Sequence, residues 1–134
     1  MKERFQFEEI FAVSPKELYE SWLNSESHTA MTGGKAECSD ENRGEFTAWD
    51  GYIRGANKSL KPYKEIIQSW RTSDFKDEDP DSELIVRFYD VVGGCRMVLI
   101  HRNVPEGETH YKQGWIDHYL DPMKRYFTTQ GTGE

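Results

Sequence analysis

Two apolar periods divide the chain. Through about residue 103, apolar side chains recur mostly at every second position, the spacing of strands with one buried face. From Glu106 to Thr129 the period becomes helical: Tyr111, Trp115, Tyr119 and Met123 fall at every fourth residue, with Ile116, Leu120 and Phe127 beside them. Lys112, Gln113, Asp117, Lys124 and Arg125 fall largely between these positions and are expected to face water. A long amphipathic helix after a run of strands predicts an α+β domain in which an antiparallel sheet wraps the helix. The stripe is unusually aromatic. A curved sheet closing on it leaves either a packed core or a cavity.

The elements follow in order. Arg4 to Val13 alternates, with Phe5, Phe7, Phe11 and Val13 on one face and Arg4, Gln6 and Glu8 on the other; Glu9 interrupts the apolar face. Ser14-Pro15-Lys16-Glu17 is a helix start, with Ser14 as cap, Pro15 at the first helical position and Glu17 completing a capping box. Leu18, Tyr19, Trp22 and Leu23 form that helix's apolar side. Ser25 is placed as the cap of a second short helix through Ala30 and Met31, ended by Gly33-Gly34. A short strand over Lys35–Ser39 and a longer one over Arg43–Trp49 lead to Asp50-Gly51, a tight-hairpin signal whose two positions take positive φ. Tyr52–Asn57 returns, Lys58–Pro62 turns the chain, and Tyr63–Arg71 is a strand. An acidic loop over Thr72–Glu83 precedes strands at Leu84–Val92 and Cys95–Asn103, joined by Gly93-Gly94. Pro122 lies inside the final helix, where it removes a hydrogen bond and collides with the carbonyl of His118, so a kink is expected there. No repeat or linker divides the chain, which reads as a single domain over residues 1–134.

Charge narrows the function classes. The formal charge is −7, from 17 basic and 24 acidic residues, which argues against a general binder of nucleic acid or anionic membrane. Mean hydropathy is −0.84, and no apolar run approaches the ~20 residues of a membrane span. The first residues lead straight into a strand pattern without a signal-peptide core, so a cytoplasmic location is expected. Cys38 and Cys95 are too few for a secreted disulfide scaffold and read as reduced thiols; the rival reading is one disulfide between them.

The chemistry-bearing residues give no catalytic motif. His28, His101, His110 and His118 show no close metal-ligand spacing with a cysteine or with one another, so no metal is expected. The acidic run from Asp74 to Glu83 lacks the glycine and terminal glutamate of an EF-hand loop and reads as a solvated hairpin connection. Neither glycine pair belongs to a phosphate-binding loop, and no serine sits in a nucleophile elbow. The chain is therefore expected to be neither an enzyme nor a cofactor carrier.

Four segments fall in a recognisable order: Ser14-Pro15-Lys16-Glu17-Leu18-Tyr19, Phe46-Thr47-Ala48-Trp49-Asp50-Gly51-Tyr52-Ile53-Arg54-Gly55, Ile66-Ile67-Gln68-Ser69-Trp70-Arg71, and Gly114-Trp115 with Tyr119. Together they resemble the family of activators of the heat shock protein 90 ATPase, specifically its C-terminal domain, within the START-like (SRPBCC) superfamily. The resemblance runs from Phe7 to about Phe127. It implies a helix-grip fold, a bent antiparallel sheet around the C-terminal helix with two short helices after the first strand. It also implies a space between sheet and helix of the kind that holds lipid-like molecules in other members. With that bend, Phe46, Ala48, Trp70, Val86, Phe88, Met97, Leu99, His101, Trp115, Tyr119 and Met123 point inward, either as a cavity wall or as core. Gln68, His101 and Tyr119 are the candidate polar anchors. The expected partner is a small hydrophobic molecule with one hydrogen-bonding end. The alternatives are a co-chaperone-type module that stimulates the heat shock chaperone's ATPase, and a cavity enzyme using His101, for which a histidine bonded within the core is the rival explanation.

Overall fold

The computed structural model describes residues 2–106 and 110–132. Strand β1 (Glu3–Phe11) is followed by α1 (Pro15–Leu23) and α2 (Ser25–Thr32). Five strands come next: β2 (Glu45–Ala48), β3 (Ile53–Lys61), β4 (Glu65–Thr72), β5 (Ser82–Val91) and β6 (Gly94–Val104). The C-terminal helix has three parts: α3 (His110–Trp115), a π-helical turn (Ile116–Leu120) and α4 (Asp121–Thr132). The strands form one antiparallel sheet in the order β1-β6-β5-β4-β3-β2. It is bent around the C-terminal helix, and the short helices complete the helix-grip architecture.

The local signals act largely as expected. Ser14 Oγ accepts from the Glu17 amide at 3.1 Å, and Pro15 opens α1. The second cap moves by one residue. Asn24 Oδ1, not Ser25, accepts from the Ser27 amide at 2.9 Å. Ser25 Oγ instead accepts from the Cys38 amide at 2.8 Å, tying α2 to the loop that follows it. Gly33 closes α2 in the left-handed conformation, φ 88°.

Two strand expectations are corrected. Lys35–Ser39 is not a strand; it contributes an isolated bridge between Glu37 and Thr47. Lys58–Pro62 does not turn the chain. β3 continues to Lys61, and the reversal comes at Pro62–Lys64, with Tyr63 at φ 67°. The polar Lys58-Ser59 start of that expected turn falls instead at a register shift between Asn57 and Ser59 within β3. Asn57 is buried there, its Nδ2 donating to the carbonyls of Ser39 and Glu41 at 2.9 Å each.

The irregularity foreseen at Pro122 takes the form of the π turn immediately before it. The Asp121 amide donates to the Ile116 carbonyl, an i to i+5 bond, and Pro122 then sits in the first turn of α4, where no amide donor is needed.

Candidate functional site

All twelve candidate ligand-binding residues are buried: Phe46, Ala48, Gln68, Trp70, Val86, Phe88, Met97, Leu99, His101, Trp115, Tyr119 and Met123. The structure divides them. Phe46, Ala48, Val86, Phe88, Met97, Leu99 and Met123 pack in the main core. Trp70, Trp115 and Tyr119 belong to that core and also line a groove beside it. The three anticipated polar anchors are already satisfied by protein partners.

His101 lies at the centre of one polar chain. Trp115 Nε1 can only donate, and it lies 2.9 Å from His101 Nδ1, so Nδ1 accepts. The neutral ring then carries its proton on Nε2, 2.8 Å from Ser82 Oγ. Ser82 in turn donates to the Trp70 carbonyl at 2.8 Å. Every donor in this chain has an acceptor. Burial pushes the His101 pKa down to about 3, which keeps the ring neutral. Ser82 thus has a histidine neighbour, but the bond runs from histidine to serine. His101 does not activate that hydroxyl.

A second chain crosses from α2 to the π turn. His28 Nδ1 donates to the Trp22 carbonyl at 2.9 Å, so Nε2 accepts from the Tyr119 hydroxyl at 2.8 Å. Burial lowers the His28 pKa to about 4 and raises that of Tyr119 well above its ordinary value. Trp22 Nε1 donates to Gln68 Oε1 at 3.3 Å, and Gln68 Nε2 to Asn57 Oδ1 at 2.9 Å. Gln68 and Tyr119 therefore hold the fold together through these bonds.

The groove lies between the β2–β3 hairpin and the N-terminal half of the C-terminal helix. Its volume is about 620 Å³. Trp49, Tyr52, Ile53 and Trp70 form the sheet side, and Tyr111, Gly114, Trp115 and Tyr119 the helix side. His110, Gln113, Asp117 and His118 stand exposed at the rim. The hairpin turns through Trp49, Asp50 and Gly51, at φ 52°, 58° and 87°; Asp50-Gly51 does what its sequence signalled. Trp49, not anticipated as a site residue, is brought onto the helix by that turn. Its ring meets His118 edge to face at a centroid distance of 5.1 Å. Trp49 Nε1 is the one buried side-chain nitrogen or oxygen without a hydrogen-bond partner among the described residues.

The remaining candidates resolve into structure. Arg71 folds the acidic loop onto itself, its guanidinium donating to the carbonyls of Asp79 and Lys76, both at 3.1 Å, and to Asp81 Oδ1 at 2.8 Å. Among the described residues no three His, Cys, Asp or Glu side chains group as metal ligands. Cys38 and Cys95 are free thiols, and burial raises both pKa values to about 11. No helix among the described residues is long and apolar enough to cross a membrane.

A bent six-stranded sheet gripping a C-terminal helix, with two short helices after the first strand, defines a protein of the helix-grip fold class. More narrowly, the chain belongs to the family described as Activator of Hsp90 ATPase homolog 1-like protein, whose model matches residues 8–128. The human activator of 90 kDa heat shock protein ATPase homolog 1 is 28% identical over 125 residues, which cover 92% of this chain and 37% of that protein. The chain thus spans little more than a third of the human relative's length. The crystal structure of an HSP90 activator from Plasmodium falciparum superposes with a TM-score of 0.83 at 22% identity, covering 92% of this chain and 94% of that one. The solution structure of the Aha1 dimer from Colwellia psychrerythraea superposes at 0.78 with 12% identity, covering 93% of this chain and 96% of that one. At these identities the two structures speak to the fold.

Proposed function

We propose that this chain is a binding module that takes a small hydrophobic molecule in the groove between the β2–β3 hairpin and the C-terminal helix. The observation that carries the reading is the groove itself: about 620 Å³, walled by Trp49, Tyr52, Ile53, Trp70, Tyr111 and Trp115. Such a volume is in the range of small-molecule sites, and the ring faces suit a flat apolar body. The proposed groove shares Trp70, Trp115 and Tyr119 with the residues expected from the sequence. The space under the middle of the helix is core, and the accessible part begins where Trp70, Trp115 and Tyr119 reach the hairpin.

The test uses tryptophan emission during titration with a panel of hydrophobic probes. A Cβ added at Gly114 meets no atom within 4 Å, so Gly114→Leu would project into open space on the groove wall. Saturable binding to the native chain that weakens at least about tenfold in Gly114→Leu supports the reading. Binding that ignores this substitution places the probe elsewhere and contradicts it.

A second reading is favoured by the human relative's name as an activator of the 90 kDa heat shock protein ATPase, at 28% identity over 92% of this chain. In that reading a surface of this domain contacts a chaperone of that kind and raises its ATP turnover. An ATPase assay with and without the chain tests it, and unchanged turnover at saturating chain contradicts it.

A further inference from the structure

Three independent features meet at Trp49. Its backbone holds φ 52°, a conformation that a bulky residue rarely adopts and that costs on the order of 1 kcal/mol or more. Its indole lies flat on Gly34, where an added Cβ would stand 2.3 Å from Cδ2 and Cε3; only glycine leaves room for the ring. Its Nε1–H is buried with no acceptor among the described residues. Among the described residues the other buried side-chain donors are paired, as the indoles of Trp22 and Trp115 show. The strained turn and the bare Gly34 thus hold Trp49, a residue of the groove wall, with its indole donor buried and unpaired.

We infer that Trp49 is the specificity residue of the groove, and that its indole N–H recognises a hydrogen-bond acceptor, such as a carbonyl or ether oxygen, on a planar apolar ligand. This rests on the groove reading above and names the ligand's chemical class. An indole nitrogen donates only, so a ligand presenting an ammonium or another donor-only group there gains nothing from it. The acceptor cannot come from His101, Gln68 or Tyr119, whose polar atoms are bonded inside the core. Nε1 is buried in the free protein, so the ligand must displace the indole edge enough for its acceptor to become the missing partner. A site that leaves its own donor unpaired discriminates well between ligands that differ only in that acceptor.

The experiment compares 9-fluorenone with fluorene, which have nearly the same shape and differ in one carbonyl. The chain has four tryptophans, so its indole N–H resonances are few, and the Trp49 signal is assigned by its loss in Trp49→Phe. In the unmodified protein, fluorenone is expected to move the Trp49 indole proton downfield and to bind about fivefold tighter than fluorene. Trp49→Phe is expected to bind both probes at the fluorene affinity. Equal binding of the two probes to the unmodified protein, or a fluorenone preference that survives Trp49→Phe, overturns the donor assignment and leaves the groove reading standing. Failure of both probes to bind contradicts the groove reading, and the inference falls with it.

Discussion

His28 and His101 each spend both ring nitrogens on bonds inside the core, and both are buried as neutral rings. Their folded pKa values, about 4 and about 3, lie below the ordinary 6.5. Between those values the unfolded chain binds protons that the folded one does not, so stability falls as pH drops below 6.5. From pH 7 to 5.5, urea unfolding is expected to show a loss of about 1 kcal/mol per histidine. His28→Gln should remove about half of that pH dependence, whatever it does to stability at pH 7. A second pair of variants separates bonded from unbonded indoles. Trp115→Phe strands the His101 Nδ1 acceptor and opens space in the core, with an expected cost of about 2–4 kcal/mol in urea unfolding. Trp49→Phe breaks no hydrogen bond and is expected to cost under about 1 kcal/mol. At this scale, burial was legible in the alternation of apolar residues, but pairing was not. His28 and Tyr119 are 91 positions apart, and nothing local marks them as partners. The sequence pattern makes Trp49 only the last residue of a strand, because its role comes from Gly34 and His118, which only the folded chain brings beside it.

The C-terminal helix shows why a sequence period can be right and incomplete. Tyr111, Trp115, Tyr119, Met123 and Phe127 are spaced by four residues, and all are buried. An α-helix turns about 100° per residue, so four steps of four residues drift the stripe by roughly 160° around the helix. A regular helix would carry Phe127 well away from the face that holds Tyr111. The π turn at Ile116–Leu120 advances fewer degrees per residue and resets that drift midway, and Pro122 marks its end. The strict spacing by four is therefore itself a signal of the wide turn. Gly114, one residue before Trp115, tests the same element. Its Cβ position is open, so Gly114→Ala should stabilise the helix by about 0.5–1 kcal/mol and raise the melting temperature. An unchanged or lowered melting temperature would mean that this glycine has a conformational role that the helix geometry does not show. Among the strands, the strongly alternating β4 and β5 were legible. β3 was cut short because a polar bulge and a polar turn have the same composition.

For the whole molecule, the order of elements and their family resemblance were enough to anticipate the helix-grip fold, which both the architecture and the match over residues 8–128 show. The location of open space was not legible. Whether a sheet and helix enclose a core or a cavity depends on how far their side chains interdigitate, and here the large residues Phe88, Met97, Leu99 and Met123 fill the middle. Space remains where the hairpin tip stands against the start of the C-terminal helix. The central claim is that this remaining groove holds a small hydrophobic molecule. The most direct measurement is native mass spectrometry of gently purified protein, followed by denaturation and analysis of what is released. A compound of apolar body retained near one per chain, and lost from Gly114→Leu, is the predicted result. Bare protein that also takes up no member of a hydrophobic panel under the same conditions would contradict the claim and move the weight to the chaperone-contact reading.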